Sequence, residues 1–225
     1  MGHKVRAVIF DQDGLMFDTE RLSVEAWDKV GGKYGIKVDT SFFDALRGGK
    51  PDTAMRLLRE LFGETFPCEE FLAEKRAYSY QQIQENGVPV MKGLRELLVY
   101  LKDHGCKTAV ATSSSSHWTE QNVKGAGLWE YFDEFAYGEM VKHAKPDPEI
   151  FCLAAGRLGE EPGKCIVLED SFNGVNGAIN GGFLSVMVPD LSIPGPELVS
   201  RLTAKCDSLL DVIDLFETGF FEFEA

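Results

Sequence analysis

Residues 5–14, which read VRAVIFDQDG, decide the fold. A short β-branched and apolar run ends there in two aspartates and a glycine, as a buried strand does where it meets a loop. Similar apolar runs recur at residues 107–112, 134–137, 165–168 and 184–188. Helical patterns separate these runs. Apolar strands that alternate with helices predict an α/β fold with a Rossmann-like parallel sheet and helices on both faces, a three-layer αβα core.

The chain between the first two strands has a different pattern. Residues 20–86 contain no convincing strand, and their apolar residues recur at helical spacing, as in Leu22, Ala26 and Val30 and in Ala54, Leu57, Leu58 and Leu61. A connection this long needs a fold of its own. We therefore predict a small all-helical insert over residues 20–86, with residues 1–19 and 87–225 forming the sheet domain. Further helices are predicted over residues 93–104, 118–126, 148–158 and 172–180.

Charge and composition exclude several classes of protein. The 23 Lys and Arg residues against 36 Asp and Glu residues give a net charge of −13, which repels nucleic acid and anionic membranes. No apolar stretch approaches the length of a membrane span. The five cysteines are scattered without a metal-binding pattern, which favours reduced and mostly buried thiols. We expect a cytoplasmic monomer with no nucleic acid or membrane partner.

Acidic side chains follow two of the predicted strands. Asp11 and Asp13 end the first strand, and Glu169 and Asp170 end the fourth. Ligands of such sheets bind beyond the carboxyl ends of the strands, where these ends meet. Carboxylates gathered this closely repel one another unless a cation lies between them, and Mg²⁺ prefers oxygen ligands. Each pair alone would also suit a solvated loop, but four acids at one edge favour a Mg²⁺ site.

The same edge carries residues suited to phosphoryl transfer. A carboxylate can act as a nucleophile that forms an acyl phosphate, with cations holding the phosphoryl oxygens. Lys145, in the segment His143-Ala144-Lys145-Pro146-Asp147-Pro148, is the candidate cation; the alternative is a surface lysine before a helix. Thr112 ends the second strand and opens onto Ser113 and Ser114. A run of serines also suits a helix N-cap, and both interpretations can hold together.

In combination, these motifs resemble the haloacid dehalogenase superfamily of phosphotransferases. Residues 10–14 are similar to its first motif, Thr112 to its second, Lys145-Pro146 to its third and Glu169-Asp170 to its fourth. Asp18-Thr19-Glu20-Arg21-Leu22 and Gly174-Val175 resemble the β-phosphoglucomutase-like subgroup, which has a helical cap. The resemblance spans nearly the whole chain, and it implies that the helical insert is this cap.

The resemblance implies a role for each matching residue. Asp11 would be the nucleophile and Asp13 the general acid/base. Mg²⁺ would be held by Asp11, Asp170 and the Asp13 carbonyl, with Glu169 either a ligand or a partner of a ligand. The phosphoryl group would be held by the remaining motif residues, with Asn173 orienting the fourth-motif loop: Lys145, Thr112, Ser113, Ser114 and the backbone amide of Gln12.

The sequence departs from the family pattern at two places. Gln12 stands where an apolar residue is usual, which we interpret as a tuning change. Residues 20–24 contain no histidine, whereas hexose-phosphate mutases of this subgroup carry one there. The resemblance therefore favours a phosphatase of a small phosphorylated metabolite, either a sugar or a nucleoside phosphate, over a sugar-phosphate mutase. A phospho-accepting signalling domain is a second alternative, although its fold would have no use for the insert.

Other residues give weaker predictions. Arg47 and Lys50 flank a Gly pair and either contact the substrate or lie in an exposed turn; substitution of both by Ala tests this through the Michaelis constant. Lys75-Arg76 favours a helix-surface pair. The remaining features are expected to be structural: His117 and Trp118 packing at a helix start, His143 in an exposed loop, and a Phe-rich tail at residues 216–223 forming a final helix and an edge segment.

Overall fold

The structure is a computed structural model that describes residues 2–39, 42, 43, 46 and 53–224. Its core is a six-stranded sheet in which every pair of neighbours is parallel. In spatial order the strands are β4 (Glu134–Tyr137), β3 (Lys107–Thr112), β2 (Ala7–Phe10), β5 (Cys165–Glu169), β6 (Leu184–Met187) and β7 (Ala204–Lys205). The predicted parallel sheet is confirmed, with the sequence-defining strand β2 at its centre.

Helices cover both faces of this sheet. In chain order, the helices that follow the insert are α4 (Leu94–Asp103), α5 (Ser116–Gly125), α6 (Glu149–Leu158), α7 (Phe172–Asn180), α8 (Pro196–Val199) and α9 (Leu209–Glu217). Helices α1 to α3 belong to the insert and are described below. Alternate side chains of β2 enter different cores, because successive residues of a strand point to opposite faces. Val8 and Phe10 join a cluster that includes residues of α4 and α9. Ala7 and Ile9 join a cluster that includes residues of α6.

Among the described residues of the insert between β2 and β3, three long helices are observed. They are α1 (Thr19–Tyr34), α2 (Thr53–Phe62) and α3 (Cys68–Asn86). Their apolar side chains form a separate cluster around Trp27, Leu58 and Phe71. Of the residues used to predict these helices, Ala26, Val30 and Leu58 are buried, whereas Leu61 is exposed. The described part of the insert thus contains helices and no strand, while its boundaries at residues 20 and 86 remain a prediction.

The first predicted strand is wrong as a single element. The chain bends at Arg6, and β1 (His3–Val5) leaves the main sheet to pair in parallel with β8 (Phe221–Phe223). The Phe-rich tail thus forms a final helix, α9, and a strand, β8, as predicted. Phe221 of β8 is buried in the same core as residues of α9. Strand β7 was not predicted from sequence, and its two residues are too few to show a pattern. Across the described residues, no helix combines the length and the hydropathy of a membrane span.

Candidate active site at the carboxyl edge of the sheet

The central strands bring the predicted motifs to one place. Phe10 pairs with Val110 of β3 on one side and with Leu168 of β5 on the other. The residues that come after these three leave the sheet at the same edge, since parallel strands in register end together. Asp11 therefore lies beside the end of β3, which carries Thr112, and the end of β5, which carries Glu169 and Asp170.

Lys145 connects the ends of these strands. Its Nζ donates to Oδ1 of Asp11 at 2.5 Å, to Oε1 of Glu169 at 2.6 Å and to the carbonyl oxygen of Ala111 at 3.3 Å. The ammonium also lies 4.8 Å from the ring centroid of Phe151, a buried residue of α6. The alternative of a surface lysine is wrong, because Lys145 is only 5% exposed.

The buried charges at this edge perturb one another strongly. Burial raises the pKa of the Asp11 carboxyl well above its ordinary value, although Lys145 opposes the shift. Burial, followed by repulsion from Glu169 and Asp11, also raises the pKa of Asp170. Burial lowers the pKa of the Lys145 ammonium, but the carboxylates of Asp11 and Glu169 more than offset it, and the pKa lies above its usual value. Three carboxylates with one ammonium leave this edge with excess negative charge.

The excess charge and the donor set suit a divalent cation. Carboxylate oxygens of Asp11, Glu169 and Asp170 all lie within 4.8 Å of one another, and all three residues are buried. Gly14 allows this approach: it adopts a φ of +90°, and a Cβ there would lie 2.4 Å from Oδ2 of Asp170. Hard oxygen ligands in a compact anionic group are what Mg²⁺ takes in proteins, so the residues present fit the predicted ion.

Both carboxylate oxygens of Glu169 already accept hydrogen bonds. Oε1 accepts from Lys145, and Oε2 accepts from the backbone N–H and the hydroxyl of Ser171 at 3.1 and 2.9 Å. Gly174 packs against this carboxylate so closely that a Cβ would overlap it. These contacts make Glu169 a partner that fixes Lys145, and whether it is also a metal ligand or the partner of one stays a prediction.

The carboxylate of Asp13 accepts hydrogen bonds from several elements. The hydroxyls of Thr19 and Ser114 donate at 2.6 and 2.7 Å. The side-chain amide of Gln12 donates at 3.2 Å, and the indole Nε1 of Trp118 donates at 3.4 Å. Asp13 is half-buried and lines a cleft between the sheet edge and the helical insert. Its carboxylate is thus held at the cleft by donors from several elements.

Gln12 contacts the site through its side chain. It is fully buried, its Nε2 atom lies against Asp13, and its Oε1 atom accepts no hydrogen bond from any residue described. The sequence pointed only to its backbone amide, whose expected contact with phosphate stays a prediction. The contact gives a physical reason to interpret Gln12 as a tuning residue: it donates a hydrogen bond to Asp13 that an apolar side chain at this position would lack.

The segment after β3 forms a helix cap as well as part of the site. The hydroxyl oxygen of Thr112 accepts the backbone N–H of Ser114 at 3.0 Å. Ser115 is the N-cap of α5, and its side chain accepts the backbone N–H of Trp118. Ser113 and Ser114 line the cleft. The helix-cap interpretation of the serine run is therefore confirmed, whereas the contact of Ser113 and Ser114 with a phosphoryl group stays a prediction.

The cleft between the sheet edge and the helical insert has a volume of about 470 Å³. Apolar and polar side chains of the insert form one wall, and Ser113, Ser114 and Asp13 form part of the other. Such a volume accommodates a small-molecule ligand. The insert's contributions are Thr19, Glu20, Leu22, Ser23, Trp27, Phe43, Leu46, Ala54, Leu72, Lys75, Arg76, Ser79 and Tyr80.

Two weak sequence predictions need correction here. The helix-surface interpretation is wrong for Lys75, which lines the cleft with its ammonium 5.5 Å from the ring centroid of Trp27. Burial lowers the pKa of Lys75 to about 8, with Glu20 opposing the shift. Trp118 does pack at a helix start as expected, but its indole N–H also reaches Asp13. Sequence reasoning missed both contacts, because Lys75 and Trp27, like Trp118 and Asp13, are far apart in the sequence and meet only in the folded chain.

The remaining candidates lie in simpler surroundings. His143 is exposed as predicted and contacts Glu149 rather than the cleft. Asn173 lies in the first turn of α7, directly after the loop that carries Asp170. Thr19 belongs to a segment that only the family resemblance singles out, yet its hydroxyl donates directly to Asp13. Arg47 and Lys50 lie outside the described residues, so their contact with substrate stays a prediction.

Comparisons with known proteins agree with this geometry. The chain is 34% identical over 183 residues to a "Phosphorylated carbohydrates phosphatase" of Thermotoga maritima, which covers 79% of this chain and 82% of that protein. It is 32% identical over 214 residues to a "Probable pseudouridine-5'-phosphatase" of Drosophila melanogaster, with coverage of 92% and 91%. The crystal structure of β-phosphoglucomutase from Clostridium difficile superposes with a TM-score of 0.79 at 25% identity, covering 96% and 97% of the two chains.

A sequence profile covers most of the chain and all four motifs. The profile of the haloacid dehalogenase-like hydrolases matches residues 5–182, which begin just before β2 and end beyond the loop of Asp170. The resemblance drawn from the motifs is thereby confirmed, as is the β-phosphoglucomutase-like architecture of sheet and helical insert. The chain belongs to the haloacid dehalogenase-like hydrolase family and is an enzyme of that family.

Proposed function

We propose that this enzyme is a Mg²⁺-dependent phosphomonoesterase of a small phosphorylated metabolite, a sugar or a nucleoside phosphate. The observation that carries the proposal is the pair Asp11 and Asp13 at the end of the central strand. Asp11 is buried against Lys145, whereas Asp13 faces a cleft that can hold a small molecule. Relatives described as phosphatases of phosphorylated carbohydrates and of pseudouridine 5'-phosphate support the substrate class.

The proposed reaction has two steps. A carboxylate oxygen of Asp11 attacks phosphorus, the bond from phosphorus to the ester oxygen breaks, and protonated Asp13 gives its proton to the departing alkoxide. Asp13 then takes a proton from water, whose oxygen attacks the aspartyl-phosphate. The bond between phosphorus and Asp11 breaks, which releases inorganic phosphate and regenerates both carboxyl groups.

The other motif residues serve binding and charge balance in this proposal. Asp11, Asp170 and the Asp13 carbonyl would hold Mg²⁺, whose charge offsets the repulsion between these acids and a phosphate dianion. Lys145 keeps its positive charge beside the phosphoryl group. Glu169 holds the ammonium, and Ser171 in turn donates to Glu169. Thr112 and Ser113 would offer hydroxyl and backbone donors to the phosphoryl group, whereas Ser114 already donates its backbone N–H to Thr112 and its hydroxyl to Asp13. Lys75 faces the cleft from the insert. Asn173 would orient the loop of Asp170.

A sugar-phosphate mutase is the second candidate. The structural likeness to β-phosphoglucomutase favours it, because sheet and insert superpose over nearly the whole chain. Against it, the first turns of α1 carry no histidine between residues 20 and 24. Membership of a hydrolase family argues against the phospho-signalling alternative. A cytoplasmic monomer that binds no nucleic acid or membrane stays a prediction.

A screen of phosphorylated metabolites tests the proposal. We expect the full chain to release inorganic phosphate from at least one sugar or nucleoside phosphate with Mg²⁺ and to lose this activity with excess EDTA. Phosphorus NMR would show inorganic phosphate as the product. An isomerised sugar phosphate without phosphate release would support the mutase instead, and turnover that survives EDTA would contradict the metal requirement.

Two substitutions separate the proposed roles. Asp11→Asn should abolish turnover and prevent ³²P labelling of acid-quenched enzyme. Asp13→Asn should lower kcat by about 10²–10⁴-fold, the usual contribution of a general acid/base, and should leave Mg²⁺ binding measurable by calorimetry. Near-normal turnover in Asp11→Asn would refute the nucleophile, whatever substrate the screen identifies.

A further inference from the structure

Trp118 connects the candidate acid/base to the helical insert. Its indole Nε1 donates to Oδ1 of Asp13 at 3.4 Å. Its ring meets the ring of Tyr80 edge-on, with centroids 4.7 Å apart and planes at 87°. Trp118 belongs to α5 and Tyr80 to α3, so this ring pair joins the sheet domain to the insert across the cleft.

Ser115 fixes the backbone of Trp118, and Tyr80 restricts its side chain. Ser115 caps α5 and accepts the backbone N–H of Trp118, which fixes the backbone close to the end of β3. The side chain is half-buried, so the local backbone alone leaves its ring room to turn. Edge-to-face contact with Tyr80 restricts that freedom, because such ring pairs have a preferred geometry. The contact with α3 therefore selects the orientation in which the N–H points to Asp13.

The indole differs from the other donors to Asp13. Thr19 and Ser114 donate through hydroxyls that can rotate to follow the carboxylate, and they also accept hydrogen bonds. The indole N–H only donates, and its ring moves as a rigid body. A shift of α3 away from the sheet would remove the Tyr80 ring and free the indole to turn. Oδ1 of Asp13 would then lose the indole donor and keep the hydroxyl of Thr19.

We propose that Trp118 is a positioning residue for Asp13, and that Tyr80 holds its indole in the donating orientation while the insert covers the cleft. The inference rests on the acid/base role of Asp13 in the proposed function. Its consequence is specific to the proton transfer. Asp13 must reach the ester oxygen of a poor leaving group to protonate it, whereas 4-nitrophenolate leaves without a proton.

Leaving-group dependence tests this role. The probes are 4-nitrophenyl phosphate and the best sugar or nucleoside phosphate from the screen, compared by kcat/KM, which reports the steps through departure of the leaving group. Trp118→Phe keeps an aromatic ring and removes the N–H. We expect it to lower kcat/KM about fivefold for the alkyl ester, the effect of one ordinary hydrogen bond, and less than about twofold for the aryl ester.

A second variant follows the contact from the insert. Tyr80→Ala should lower the alkyl-to-aryl ratio of kcat/KM in the same direction, by about threefold, because the unsupported indole donates only part of the time. The double variant should have the ratio of Trp118→Phe alone, since Tyr80 acts through Trp118. Trp129→Phe is the matched control: Trp129 stacks on Phe135 at 4.3 Å, away from the cleft, and its loss should leave the ratio unchanged.

The outcomes distinguish this inference from the proposed function. Equal losses for both esters in Trp118→Phe would show a structural role only, and an additive double variant would show that Tyr80 does not act through Trp118. If Asp13→Asn abolishes alkyl-ester hydrolysis while Trp118→Phe leaves the ratio unchanged, the acid/base role stands and the inference fails. If the parent enzyme hydrolyses neither ester, both fail. Should Trp118→Phe not fold, a ratio in Tyr80→Ala equal to that of the parent would overturn the inference.

Discussion

The ammonium of Lys145 lies 2.6 Å from a carboxylate oxygen of Glu169, and both side chains are almost fully buried. Lys145 also contacts the carbonyl of Ala111, from which it is separated by 34 positions in the sequence. A buried ion pair stabilises a fold only when further hydrogen bonds satisfy both groups, and here Ser171 and Asp11 supply them. The pair thereby fixes a positive charge beside the proposed nucleophile.

Glu169→Gln should destabilise the enzyme and slow it. The amide cannot accept at both oxygens, so either Lys145 or the two donors of Ser171 lose their acceptor. We expect a loss of about 3 kcal/mol, the lower end for a broken buried pair, because Lys145 keeps Asp11. Thermal melting with Mg²⁺ present measures it, since without a cation the substitution also relieves repulsion of Asp11 and Asp170.

The exposed pair of Arg56 and Glu60 provides the control for that experiment. Glu60→Gln makes the same chemical change at a salt bridge of 2.8 Å whose side chains are mostly exposed. Exposed pairs contribute about 0–1 kcal/mol, so its melting temperature should stay close to that of the parent. Equal shifts in the two variants would contradict the role given to the buried pair.

Gly14→Ala should weaken Mg²⁺ binding. A side chain at Gly14 would be strained at a φ of +90° and would displace the Asp170 carboxylate, only 2.4 Å from the added Cβ. Gly63→Ala is a matched control, because Gly63 has a φ of +92° with no atom within 4 Å of its added Cβ. The control should cost about 1–2 kcal/mol of backbone strain and leave Mg²⁺ affinity unchanged.

Calorimetric titration and thermal melting distinguish the two glycine variants. Gly14→Ala should lose more stability than Gly63→Ala and should bind Mg²⁺ at least about tenfold more weakly, because Asp170 moves away from Asp11. Parental Mg²⁺ affinity in Gly14→Ala would show that Asp170 is not a ligand, since the substitution cannot leave that carboxylate in place.

Deprotonation of Lys75 should weaken substrate binding at alkaline pH. Burial lowers its pKa to about 8, with Arg76 adding to the shift and Glu20 and Asp13 opposing it. Below that pH the ammonium is charged and attracts an anionic substrate; above it the amine is neutral. The phosphate stays dianionic throughout, since its second pKa is about 6. KM should therefore rise about five- to tenfold between pH 7 and pH 9.5.

Lys75→Met isolates this effect. The variant should have a raised KM at pH 7 and no further increase in KM toward pH 9.5, because the titrating group is gone. Steady-state kinetics over this range, with Mg²⁺ saturating, provide the measurement. An alkaline increase in KM that persists in Lys75→Met would assign the titration to another group.

Thiol alkylation should distinguish one cysteine from the other four. Cys152 is exposed, whereas Cys68, Cys106, Cys165 and Cys206 are buried. Burial raises the pKa of the last three to about 12, which leaves almost no thiolate at neutral pH. Iodoacetamide should modify one thiol in the native enzyme and five after denaturation, as counted by intact mass. Rapid native modification of two or more would contradict the packing.

Much of the fold and of the site could be predicted from the sequence, because the signals are local. Each strand of the sheet is a short apolar run with its polar motif directly after it, so β2 and β5 could be predicted together with Asp11, Asp13 and Asp170. The bend at Arg6 could not be predicted, because Val5 and Ala7 are equally apolar and only pairing with Phe223 separates the two strands. Chain order and local chemistry are enough to predict a strand and the polar residues directly after it.

The contacts between separate elements were decided only by the tertiary structure. The sequence by itself determined that acids meet at one edge of a parallel sheet, since strand direction follows from apolar runs joined by helices. Whether Glu169 faces a metal or Lys145, and whether Lys75 faces water or the cleft, depends on how helices pack across long sequence separations. The same holds for Trp118, whose indole meets Asp13 from 105 residues away. Which partner such a side chain contacts depends on how the surfaces of several elements pack together, and the sequence of one segment does not contain that information.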